Sequence, residues 1–108
     1  MANTFKNQVK AAVGTSPQTI YTTAVGVSTT IIGMTIANLL NTTITANVIL
    51  NSGGTDYYMV KMAPIDPGNS LITIGGEQKL VMTANDVLKV STSNASSADV
   101  ILSLLELT

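Results

Sequence analysis

The chain has 108 residues, a formal net charge of −1, 45% hydrophobic and only 10% charged residues, and no His, Cys, Arg or Trp. These absences exclude imidazole bases, thiol nucleophiles, disulfides, Cys-based metal sites and guanidinium clamps, and five Lys against six acids make no basic patch for nucleic acid. Thr, Ser and Asn supply 34 residues instead, a composition suited to β-structure and to presenting surface, within one domain at this length. So little charge also favours a surface largely covered by neighbours, through self-assembly or docking.

Residues 1–16 differ from the rest. Phe5, Val9 and Val13 recur at i, i+4 and i+8, with Lys6 and Lys10 on a neighbouring face. This spacing predicts an N-terminal arm or short helix, ended by Gly14 and Pro17. A helix so short is marginal alone and needs a surface to pack on.

From Thr19 the period is two, and residues 17–108 read as a β-sandwich domain. Thr19–Thr23 is a short first strand. Val27–Leu40 follows, with Ile32, Met34 and Ile36 on one face and Gly33, Thr35 and Ala37 on the other. Gly33 in mid-strand predicts a bulge or a close backbone approach. After a turn at Asn41-Thr42, Ile44, Ala46, Val48 and Leu50 point inward, while Thr43, Thr45, Asn47 and Asn51 point outward. That is the alternation of a half-buried antiparallel strand.

Asn51-Ser52-Gly53-Gly54 is a turn leading to the strand Tyr57–Ala63. Pro64 and Pro67 remove two backbone donors, so Pro64–Asn69 reads as a loop or crossover. Leu71–Ile74 resumes the β-pattern and Gly75-Gly76 breaks it. Glu77–Thr83, Val87–Ser93 and Val100–Leu107 are the remaining strands, separated by an Ala84-Asn85-Asp86 turn and a polar loop. About eight short strands predict an all-β antiparallel sandwich, best matched by a jelly roll.

Little in this pattern carries chemistry. The acids Asp56, Asp66, Glu77, Asp86, Asp99 and Glu106 are scattered, with no calcium-loop or paired-carboxylate spacing. Neither Gly pair precedes a helix or a Lys-Ser/Thr, so neither is a phosphate loop. No cofactor or metal and no catalytic residue is expected, and a hydrolase on this scaffold has no motif behind it. Tyr57 and Tyr58 point to opposite faces of their strand, one inward and one outward. The outward ring could anchor an interface or stack on a sugar.

The most apolar stretch, Val25–Leu40, is interrupted by Ser28, Thr29, Thr30, Thr35 and Asn38, and is shorter than the roughly 20 residues of a membrane-spanning helix. No membrane span and no secretory signal are expected. The glycosylation patterns at Asn41-Thr42-Thr43 and Asn94-Ala95-Ser96 are discounted accordingly.

Three stretches carry a resemblance. The first is the opening Met-Ala-Asn-Thr-Phe-Lys of residues 1–6, running on to Val13-Gly14-Thr15 and Tyr21-Thr22. The second is residues 60–71, Val-Lys-Met-Ala-Pro-Ile-Asp-Pro-Gly-Asn-Ser-Leu. The third is Gly75-Gly76-Glu77-Gln78-Lys79-Leu80-Val81, then Asn85-Asp86-Val87-Leu88-Lys89-Val90 and the ending Leu102-Ser103-Leu104-Leu105-Glu106. Together they resemble a family of small virion structural proteins of tailed bacteriophages, including phages of cyanobacteria. Asn69 stands where the pattern has Ser, and Asn85-Asp86 where it has Gly-Asp; both keep turn chemistry.

The resemblance implies a non-enzymatic β-sandwich subunit, made in the bacterial cytoplasm and present in many copies on the virion. Its partners would be the major capsid protein or other virion proteins, with further copies of itself in a homo-oligomer, trimer favoured, and neither nucleic acid nor membrane. A capsid decoration protein is the leading expectation; a tail, neck or fibre protein and a carbohydrate- or receptor-binding module are the alternatives. Phe5, Lys6, Val9, Lys10, Val13, Tyr57 and Tyr58 are the expected assembly residues.

Overall fold

The structure is a computed structural model, and it describes residues 2–74 and 79–108. Among the described residues nine strands follow one another: β1 (Asn3–Val13), β2 (Gln18–Thr22), β3 (Ser28–Asn38), β4 (Ile44–Ser52), β5 (Thr55–Ile65), β6 (Ser70–Ile74), β7 (Leu80–Met82), β8 (Val87–Thr92) and β9 (Ala98–Leu107). They form two antiparallel sheets. The first has the order β1-β9-β3-β6, with β7 also on β3; the second has the order β2-β8-β4-β5.

β6 pairs with the Met34–Ala37 half of β3, and β7 with the Thr29–Ile31 half. Lying end to end, the two occupy a single strand position. The chain therefore fills eight positions, ordered 1-8-3-6 and 2-7-4-5 when they are counted along the sequence. That is the double Greek key of a jelly roll, wound from the pairs β1·β9, β2·β8, β3·β6/β7 and β4·β5. The expectation of an all-β antiparallel sandwich holds.

Alternation builds the core. Ile44, Ala46 and Val48 of β4, Leu88 and Val90 of β8, and Val100, Leu102 and Leu104 of β9 are buried between the sheets, where the two inner faces interdigitate. Gly53 and Gly54 close the β4–β5 hairpin, both with positive φ (63° and 83°), as a two-residue turn of the primed type requires. The break expected at Gly33 is present. The β3–β9 register shifts between Ile31 and Gly33, so Ile31, Met34 and Ile36 are buried while Ile32 is only half-buried. The bulge takes Ile32 off the inward face assigned to it from simple alternation.

Residues 3–13 are not helical. They form the eleven-residue strand β1 on the free side of β9. The misreading has a simple cause: a spacing of four is close to one helical turn but is also two strand repeats. Phe5 and Val9 therefore share a strand face as readily as a helix face. Val13 fills the core at 0% exposure. Pro64 lies within β5 rather than in a loop, and it is tolerated because β5 is an edge strand. The Gly75-Gly76 break and the beginning of the expected Glu77–Thr83 strand lie outside the described residues.

Candidate assembly interface

Strand register assigns each exposed residue to a face. On the outer face of the first sheet, Phe5 pairs with Leu105 and Val9 with Ile101. Across β9, Leu105 pairs with Thr30 and Ile101 with Thr35. Thr30 pairs in turn with Val81, and Thr35 with Ile72. Two rows therefore cross all four strand positions: Phe5-Leu105-Thr30-Val81 and Val9-Ile101-Thr35-Ile72. Phe5, Val9, Ile72, Val81 and Ile101 are all more than half exposed, Phe5 reaching 75%.

Between the rows lies a strip of small residues, Asn7-Ser103-Gly33. A hollow of about 360 Å³ opens there, lined by Phe5, Lys6, Asn7, Ile32, Ser103 and Leu104. A second hollow, about 260 Å³, lies beyond Val9 and Ile101 beside Asp99. Among the described residues the two rows are thus apolar ridges, with Lys6 bordering the first hollow and Lys10 the second. Asp99 stands at one end, where it accepts the Ala12 N–H at 3.0 Å.

The outer face of the second sheet is built differently. Lys89 lies 3.8 Å from Asp56, the Asn51 amide donates to Asp56, the Asn47 amide donates to the Ser91 hydroxyl, and the Lys61 ammonium lies 5.1 Å from the Tyr58 ring centre. This face carries its own charges and partners and suits water.

Of the expected assembly residues, the structure brings Phe5 and Val9 together on the apolar face. Lys6 and Lys10 project to the other side of β1. Lys6 forms an ion pair with Glu106 at 3.0 Å. Val13 is buried and presents nothing to a partner. Tyr57 and Tyr58 lie across the molecule on β5 and are both exposed, at 56% and 53%. Register keeps them on opposite faces, Tyr57 opposite Leu50 and Tyr58 opposite Ile49, but the inward ring is not buried. Both stand near the tip of an edge hairpin, where the opposing sheet does not cover them.

Ile72, Val81, Ile101 and Leu105 were missed from sequence. One signal was present. β9 reads Val-Ile-Leu-Ser-Leu-Leu-Glu-Leu from residue 100, nearly continuous in apolar residues. In an antiparallel sandwich such a run marks a strand meant to be covered on both faces. The core covers one; among the described residues nothing covers the other.

The acids that are described each have a local role. Asp56 and Asp99 are engaged as above, and Asp66 accepts from the Thr43 hydroxyl. Asp86 accepts from the Thr83 N–H and the Ser52 hydroxyl, which hold its carboxyl below the ordinary range. Glu106 accepts from the Tyr21 hydroxyl and from Lys6; these two bonds, the Tyr21 one first, lower its pKa. Burial and the same carboxylate raise that of Tyr21. No group of three or more acids able to hold a metal occurs among the described residues. What the arrangement displays is a surface.

Fold and surface together define a class: a jelly-roll sandwich with one polar face and one uncovered apolar face. No protein-family model, curated protein or solved structure matches the chain.

Proposed function

We propose that this chain is a non-enzymatic structural subunit of a tailed-phage virion, a capsid decoration protein that docks on the shell in many copies and stabilises it. The observation that carries the reading is the ridged apolar face formed by Phe5, Val9, Leu105, Ile101, Ile72 and Val81. An exposed apolar patch of this breadth, beside a face that satisfies its own polar groups, is the mark of an assembly contact. The resemblance of the three stretches quoted above supports placing that assembly on a virion. Many copies would multiply a modest contact into avidity.

The test is co-sedimentation of the purified protein with undecorated tailed-phage capsids and, in parallel, with isolated tails. Saturable binding to capsids is expected, with occupancy at a fixed concentration falling about tenfold for Phe5→Ala as avidity is lost. Binding to tails alone would move the subunit to the tail or neck. Binding to neither would overturn the assignment.

A further inference from the structure

The uncovered face itself points to a specific occupant. We infer that it packs against the same face of a second copy, so that two chains associate sheet to sheet about a two-fold axis. The inference deepens the assembly reading above and rests on it, the face serving to pair copies so that the pair is the unit that docks with avidity.

Three observations carry it. The first is charge. Among the described residues, no ionisable side chain belongs to either apolar row or to the Asn7-Ser103-Gly33 strip, and Lys6, which borders the hollow, is paired with Glu106. Asp99 is at one end and already bonded to the Ala12 N–H, and Lys79 precedes β7 at the edge farthest from β1. A charged partner would bury an unpaired group here, whereas the face is matched by its own uncharged copy.

The second is relief. Two apolar ridges flank a strip floored by Ser103 and Gly33. Shifted by one row, a ridge of each copy enters the hollow of the other, and the contact is isologous, each copy giving what it receives.

The third is area. Four strand positions about 4.8 Å apart, each about ten residues long at about 3.3 Å per residue, give the face roughly 600 Å². Two copies therefore bury about 1,200 Å², the lower end of what stable, specific association needs. The stretch of β9 from Val100 to Leu105, apolar but for Ser103, would then be enclosed on both sides.

The experiment is sedimentation velocity on the purified wild-type chain without capsids, up to about 100 µM, where even micromolar affinity fills the interface. Ile101→Asp and Ile72→Asp place a carboxylate in the contact; Met62→Asp, on the exposed edge strand of the other sheet, is the control. Near-ultraviolet circular dichroism checks that each variant keeps its fold, and Ile72, on an edge position, is the substitution least able to disturb the core.

A wild-type dimer that becomes monomeric in both face variants, through a rise of about 100-fold or more in the dissociation constant, and persists in Met62→Asp is the expected result. A wild-type monomer, a trimer, or a dimer indifferent to the face variants overturns the inference, since a three-fold ring cannot be built from an isologous contact. A monomer that still binds capsids would sink this pairing and leave the proposed function standing. A face-dependent dimer that ignores both capsids and tails would do the reverse.

Discussion

Tyr21 shows how one side chain ties three strands together. Its hydroxyl, on β2, bonds Glu106 of β9 and lies 2.8 Å from the Thr29 hydroxyl of β3. Glu106 in turn holds Lys6 of β1. The two shifts have opposite directions and complementary consequences. Glu106 has a lowered pKa, so its contribution is present above the unfolded value of about 4.3 and is lost as pH falls through the lower folded value. Tyr21 has a raised pKa, so its contribution is complete below about 10 and is lost as pH rises through the higher folded value. Stability should therefore be flat from about pH 6 to 9 and decline on both sides. Tyr21→Phe should cost about 1 kcal/mol in that plateau and remove the alkaline decline due to residue 21. It should reduce the acid decline without abolishing it, because Asp86 titrates in the same sense. Urea midpoints measured against pH would show this; identical slopes in wild type and Tyr21→Phe would refute it.

Among the elements, β4 and β1 mark what the sequence could and could not disclose. β4 alternates cleanly between Ile44 and Val48 because its two faces meet opposite environments, one dry and one wet, and the register follows. β1 has no such contrast. Residues 3–10 are exposed on both faces, so no apolar alternation was imposed on them and the helical reading had nothing to contradict it. Tyr57 and Tyr58 failed for a related reason: the inward side of a strand is buried only where the opposite sheet reaches. β9 carried a signal that went unread, a nearly continuous apolar run broken only by Ser103 and Glu106. The division within β1 can be tested. Val13→Ala should destabilise the chain by about 1.5–3 kcal/mol, as loss of buried methyl groups does, whereas Phe5→Ala in the dissociated monomer should change stability by less than about 0.5 kcal/mol. Thermal melts of the two variants decide it, and equal losses would mean that residues 1–16 act as one unit after all.

For the whole molecule, the winding order sets how the fold can form. The β4–β5 hairpin closes through two glycines, while β1·β9 joins Asn3 to Leu107 across almost the entire chain. Loop-closure entropy rises with the length enclosed, so the hairpin can form early and the outermost pair only after the inner ones have brought its ends together. A topology dominated by such distant pairs refolds in about milliseconds to seconds rather than microseconds. The same order predicts how mutations divide between the two rates. Gly54→Ala strains a residue at φ 83° within the hairpin and should mainly slow refolding. Val13→Ala weakens the pair that closes last and should mainly speed unfolding. Stopped-flow chevrons, recorded below the concentration at which copies associate, separate the two effects. If Val13→Ala slowed refolding as much as it destabilised the protein, β1 would already be docked in the transition state. Closure would then begin at the chain ends, where β1 meets the strand that carries much of the apolar face.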